Sequence, residues 1–299
     1  MYLATVTCYR DFPQILLQAE SIQKFVEPCK HVIIVNQDNP DIDFYYRWLK
    51  PYYTKHELVI IPKISYFYPV KGLKTSLELI GTSVEWRIQQ LQKLLLAYEF
   101  DDDYVLLDSK NFFVKPINID YWENTNILGS GKLNRIDNWN SNCADRYRKI
   151  LNVTDKLTLA PGTPFKIDRE SLVSRCKKEE LGYFLFAPEF DSSITSEFIF
   201  YSVLINDKIQ KCKEWPAKDV AHVLWEDSIG RLQHDLDKVQ RDPNVYVSGL
   251  HRDLLSLTTP EHHNMINSWL KFALGLENKI YPIPKDPEMS LHARKNASP

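Results

Sequence analysis

The chain has 299 residues, 25% of them charged and 44% hydrophobic, with a formal net charge of −2. That balance gives no basic stripe interleaved with aromatics, so a nucleic-acid-coating role is excluded. No apolar run reaches the ~18–20 residues that cross a bilayer, and the length suits one large domain or two small ones.

The predicted elements begin at Leu3–Thr7, a β-rich strand that starts the fold and lacks the basic flank of a signal peptide. Pro13–Phe25 carries Ile15, Leu16, Ala19 and Ile22 at helical spacing, with Pro13 in the first turn. His31–Val35 is a second apolar strand, closed by the turn residues Asn36–Pro40, and Leu58–Ile61 is a third. Val84–Tyr98 is the clearest helix, because Val84, Ile88, Leu91, Leu95 and Tyr98 share one face. Tyr104–Leu107 reads as a buried central strand and Phe112–Val114 as an aromatic one, with Asp108-Ser109-Lys110-Asn111 between them. Ile127–Gly131 is a candidate strand, Asp145–Leu151 a helix and Thr163–Ile167 an extended segment. Helices are expected over Arg169–Lys178, Ser196–Ile205 and Glu261–Leu274, with β-like runs at Val220–Leu224 and Val245–Val247. Strands alternating with helices predict an α/β fold with a mainly parallel central sheet flanked by helices. We expect one domain over residues 1–275 and a loosely ordered tail over 276–299.

Five scattered cysteines without a CxxC pair suggest reduced thiols and a cytoplasmic protein. The richest candidate for chemistry is the corner Asp108, Ser109, Lys110, Asn111. Ligands of open α/β sheets bind beyond the carboxyl ends of the strands, where this corner falls. Its plainer alternative is a polar turn. Trp86, Arg87, Gln89, Gln90 and Lys93 lie on the helix leading into it, either facing an anionic, hydroxyl-rich ligand or forming a solvated face. Glu197 occupies a first helical turn, which the helix dipole alone explains; a general base for a hydroxyl acceptor is the other reading. His251 ends a strand beside Arg252 and is a candidate phosphate or metal contact. His222 reads as a core residue, and His262 and His263 as surface residues.

Taken together, Trp86/Gln89/Gln90/Lys93, Asp108-Ser-Lys-Asn111, Pro161-Gly-Thr-Pro164 and Ser196-Glu-Phe198 resemble, in that order, a bacterial and phage family of glycosyltransferases with the GT-A fold, a Rossmann-like layout. The resemblance spans roughly residues 1–255. It implies transfer of a sugar from a nucleotide-diphosphate donor to a hydroxylated acceptor. The nucleotide would bind near Thr7, Cys8, Tyr9 and Arg10, and the sugar diphosphate near Asp108 and Lys110. Trp86, Arg87, Gln90, Lys93, Ser109 and Asn111 would complete the donor site. Thr163, Pro164 and Glu197 would face the acceptor. The chain departs from the family's DxD pattern, since Lys110 stands at the second acidic position. A Mn²⁺ or Mg²⁺ ion on Asp108, helped by His251, is one expectation; Lys110 replacing the ion's charge is the other. Two competing classes are a receiver-like phosphotransfer protein and a non-catalytic nucleotide-sugar or glycan-binding module.

Overall fold

The computed structural model describes residues 1–66, 84–123, 138–154, 162–186, 196–211, 221–224, 229–251, 254 and 259–278. The expected strand at 127–131, the Pro161 end of the Thr-Pro motif, Arg252 and residues 279–299 lie outside them.

The central sheet has five strands. β1 (Tyr2–Thr7), β2 (Lys30–Val35), β3 (Glu57–Pro62), β4 (Tyr104–Asp108) and β6 (Phe165–Ile167) stand in the order β3-β2-β1-β4-β6. The first four run parallel and β6 pairs antiparallel with β4. Parallel strands are covered on both faces, and the sequence shows it by alternation. Ala4, Val6, Val32, Ile34, Tyr104 and Leu106 enter one core, against α3 (Val84–Leu95), α4 (Asn138–Leu151) and α7 (Glu197–Leu204). Leu3, Ile33, Val35, Val105 and Leu107 enter the other, against α1 (Phe12–Phe25) and α2 (Ile42–Leu49). This is the predicted α/β class with its mainly parallel sheet.

Phe112 and Phe113 do not extend that sheet. β5 (Asn111–Phe113) turns away into a second, three-stranded sheet of order β5-β8-β7, with β7 (Ala221–Leu224) and β8 (Val247–Leu250). A third core packs this sheet against α1 through Leu17, against α9 (Ile229–Arg241) and against α10 (Pro260–Leu274). His262 and His263, expected on the surface, are both buried on α10. The helix expected over Arg169–Lys178 ends early, as α5 (Arg169–Val173), capped by Asp168, and a separate helix, α6 (Lys178–Phe186), starts where it was expected to stop. α8 (Asn206–Lys211) follows α7 directly.

Past α10 the chain stays docked for a few residues. Leu276 is buried, and Glu20 accepts hydrogen bonds from the Glu277 and Asn278 backbone N–H groups. The packed body therefore runs past position 275. No helix among the described residues is long and apolar enough to cross a membrane.

Candidate functional site

The strand order places β2 and β3 on one side of β1 and β4 on the other. The chain thus reverses its direction of travel across the sheet between β1 and β4. At such a reversal the loops above the two strands part, leaving a crevice at their carboxyl ends. Asp108 stands at that edge, in register with Val6 of β1.

Alternation decides which way Asp108 points. It has the parity of Tyr104 and Leu106, so its side chain turns to the α3 and α7 face. There Lys93 Nζ lies 2.9 Å from Asp108 Oδ1 and 2.8 Å from Glu197 Oε1. The Lys93 side chain is 5% exposed and that of Glu197 2%, so this is a buried bridge. Gln90 Oε1 accepts a third bond from Lys93, and the ammonium sits 4.8 Å from the Phe198 ring centre. On the open side, Lys110 Nζ lies 3.1 Å from Asp108 Oδ2, with the two side chains 25% and 23% exposed. Two carboxylates and two ammonium groups are therefore balanced within the protein.

Each ionisation follows from that packing. Burial alone would raise the Asp108 carboxyl, but Lys93 and Lys110 outweigh it and hold it below the usual carboxylate range. Burial alone would lower Lys93, but Asp108 and Glu197 hold it above its ordinary value. Glu197 goes the other way: burial pushes it up, against Lys93, and the Asp108 charge adds to the push.

The corner itself is braced from within. Asn111 Oδ1 accepts from the Asp108 backbone N–H at 2.8 Å. The Thr163 hydroxyl lies 2.5 Å from Asn111 Oδ1 and 3.2 Å from Asp108 Oδ2, with one proton to share between them. Asn111, Thr163 and Pro164 are all buried, so they form the wall behind Asp108. Ser109 is also turned inward, donating to Asp11 Oδ2 at 3.0 Å.

At the end of β1, Thr7 is buried. The Tyr9 ring stacks on Tyr45, its backbone N–H donates to Gln37 and its hydroxyl accepts from the Asp41 N–H. Arg10 remains partly exposed, 3.9 Å from Asp11. On α3, Trp86 is exposed, whereas Arg87, Gln90 and Lys93 are buried and form no solvated face. Gln89 reaches the Val6 carbonyl and closes the end of β1.

The donor set around Asp108 does not suit a divalent cation. Mg²⁺ and Mn²⁺ want several hard oxygen ligands, and both carboxylate oxygens already face ammonium groups. His251 lies at the end of β8, its N–H bonded to the Leu224 carbonyl. Among the described residues no group of three or more His, Cys, Asp or Glu side chains is placed to hold a metal. Four residues that sequence reasoning passed over complete the site from beneath: Thr5, Gln18, His31 and Tyr53, joined by buried hydrogen bonds. Gln14, Gln18 and Ser21 at helical spacing, polar yet on a buried face of α1, were the available signal.

No protein-family model matches the chain, and no characterised protein matches it in sequence. Among solved structures, the apo form of mouse xyloside xylosyltransferase 1 is similar, with a TM-score of 0.43 and 8% identity over 83% of this chain and 96% of that one. The WbbM bifunctional glycosyltransferase gives 0.45 and 12%, over 83% of this chain and 45% of that one. The mannosyltransferase Ktr4p from S. cerevisiae gives 0.40 and 9%, over 66% and 52%. The chain spans about half the length of these last two. At these scores the likeness adds no weight to the functional reading.

Proposed function

We propose that the chain is a glycosyltransferase moving a sugar from a nucleotide-diphosphate donor to a hydroxylated acceptor. The observation that carries this is the charge-balanced Asp108–Lys110 corner at the carboxyl edge of β4, where the strand order reverses. A diphosphate leaving group needs positive charge fixed before the bond breaks. Lys110 supplies it: an ammonium has three donors, one of which goes to Asp108. Asp108 aims the Lys110 side chain, and Lys93 fixes Asp108 from behind. Arg10, on the same edge beyond β1, is the second cation near the donor, while Thr163 and Pro164, expected to face the acceptor, are buried and instead brace Asp108 from behind through the Thr163 hydroxyl.

Glu197 takes a different part from that of an exposed base. Buried and bonded to Lys93, it orients the ammonium and, through it, Asp108. The same burial favours a second reading, a nucleotide-sugar or glycan-binding module without transfer.

Thermal-shift measurements over a panel of nucleotide sugars test the donor site. A ligand at 100 times its dissociation constant stabilises by about 2.7 kcal/mol, so one sugar nucleotide should raise the midpoint clearly. No response to any of them overturns the donor reading. With the donor found, slow hydrolysis without acceptor separates a transferase from a binding module, and its persistence in chelator supports the role of Lys110. Loss of hydrolysis in chelator, restored by Mn²⁺, would return that role to a metal.

A further inference from the structure

The Asp108–Asn111 corner is gripped from both faces of the sheet. Asp108 turns its carboxylate to the α3 face. Its backbone carbonyl is held from the α1 face by Gln18, whose Nε2 donates to Asp108 O at 2.9 Å and to Asn111 O at 2.9 Å. One side-chain amide thus ties the first and last carbonyls of the four-residue corner together.

The direction of every bond behind that amide can be deduced. A backbone carbonyl only accepts, so the group facing two of them must be the Gln18 NH₂. The reversed amide would set an oxygen against two oxygens. The Gln18 oxygen is then left to accept, and Thr5 Oγ1 donates to it at 2.8 Å. The Thr5 hydroxyl has one proton, now used, so Thr5 Oγ1 must accept from His31 Nε2 at 3.0 Å. A neutral His31 then carries its proton on Nε2 and offers a bare Nδ1, to which the Tyr53 hydroxyl donates at 2.6 Å. Burial, with a small push from His56, holds the His31 ring down at about 3, so the neutral form is the one present. All four side chains are buried, and each hydrogen bond has a single permitted sense.

We propose that Gln18 is a positioning residue for the Asp108–Asn111 corner, and that the Thr5–His31–Tyr53 chain locks its amide in the gripping orientation. A polar chain of this kind carries a cost, because each member must find its partner when buried. Leucine or valine at these positions would fill the same space without that demand. What the polar residues add is a fixed sense, transmitted from β2 and the segment after α2 to the strand end that carries Asp108. The corner's function as a diphosphate site rests on the donor reading above; the bonding chain does not.

Two measurements test this separately. In wild-type protein labelled with ¹⁵N-histidine, His31 should show the Nε2-protonated tautomer and no titration between about pH 5 and pH 8, around the ordinary histidine value. An Nδ1-protonated ring, or titration in that interval, overturns the proposal. The second compares Thr5→Val and Thr5→Ser for binding of inorganic pyrophosphate and of the sugar nucleotide found above. Thr5 does not touch the corner side chains. Thr5→Val keeps the shape, removes the hydroxyl and should weaken binding about tenfold, whereas Thr5→Ser keeps the chain and should bind as wild type does. A role in stability alone would lower the midpoint of Thr5→Val without changing the affinity of the folded protein. Folded Thr5→Val with wild-type affinity therefore overturns the proposal. Should wild type bind neither probe, the donor reading fails, and the His31 spectrum alone decides the positioning proposal. That spectrum also decides it if Thr5→Val does not fold.

Discussion

Lys93 serves two carboxylates at once; burial raises both, yet their net shifts are opposite. Asp108 has a second ammonium and stays ionised, with its carboxyl held low; Glu197 has Lys93 alone and is pushed up. The sign of each effect on stability follows. A carboxyl held low in the folded state contributes stability above its unfolded value, and that contribution is lost as pH falls through the folded value. Asp108→Asn should therefore flatten the acid limb of stability, so that the urea midpoint changes less between about pH 5 and about pH 2 than in wild type. A carboxyl pushed up contributes below its unfolded value and loses that contribution as pH rises through its folded value. Glu197→Gln should accordingly lessen the decline on that side. The same variant separates the two roles of this residue. Gln keeps an oxygen for Lys93 but has no basicity. Donor affinity should hold, and transfer should fall by less than the ~10²–10⁴-fold that loss of a general base costs. A fall within that range in steady-state assays would restore Glu197 as the base.

At the scale of elements, the corner is where a strand of one sheet becomes a strand of the other within three residues, Asp108 to Asn111. Gly249 of β8 makes that change of direction fit, since it pairs with Asn111. A Cβ there would stand 3.1 Å from Asn111 Nδ2, 3.3 Å from Val223 Cγ2 and 3.4 Å from the Lys110 carbonyl oxygen. The two tighter contacts are side chains, that of Asn111 buried and that of Val223 partly so, and both would have to give by a few tenths of an ångström. Gly249→Ala should cost about 1–3 kcal/mol, as overpacking does, read from urea unfolding, and should weaken donor binding by moving Asn111 off the Asp108 N–H. This junction also marks the limit of what the sequence discloses. The strands β1, β2, β3 and β4 were legible as short apolar runs, β2 closed by turn residues and β4 bounded by charge, α1 and α3 from their spacing, and α7 from its Ser cap. Asp108, Lys93 and Glu197 were legible as candidates from their places at a strand end and on helices. That β5 leaves the main sheet was not, because its partner Val247–Leu250 is remote in sequence and pairing over such a distance leaves no local pattern. α9 was readable in principle from Ile229, Leu232, Leu236 and Val239, whereas the aromatic run Ile42–Leu49 is too short for periodicity to separate helix from strand. Gln14, Gln18 and Ser21 marked a polar stripe on α1, but nothing local to Thr5, Gln18 or His31 names its partner, because the three lie on separate elements.

Across the whole molecule, α1 reaches both sheets, the Asp108–Asn111 corner and the end of α10. Ile15, Ala19 and Ile22 pack under the main sheet, and Leu17 packs into the core of the second. Gln14 donates to the Leu250 carbonyl at the end of β8, and Gln18 grips the corner. Ser21 accepts from the Phe113 N–H of β5 at 3.0 Å and donates to the Gln18 carbonyl at 2.7 Å. Lys24 donates to the Leu274 and Gly275 carbonyls, and Glu20 holds Asn278, so the end of α10 is tied to the same helix. With α1 shared in this way, neither sheet can open without uncovering a face of the other's helix, and the two should unfold as one cooperative unit. Ser21→Ala tests that coupling at its centre. It strands the buried Phe113 N–H, which costs about 1–3 kcal/mol, at a bond belonging to the second sheet. Trp269 lies in that sheet's core, its ring 6.1 Å from Phe112, and in a background with the other six tryptophans replaced by Phe it reports on that sheet by fluorescence. Hydrogen exchange at Val105, Leu106 and Leu107 reports on the main sheet. Both signals should lose the same free energy in Ser21→Ala. A loss seen at Trp269 while exchange in β4 stays at its wild-type rate would show two separable units, with the corner bridging them as a hinge in place of a rigid joint.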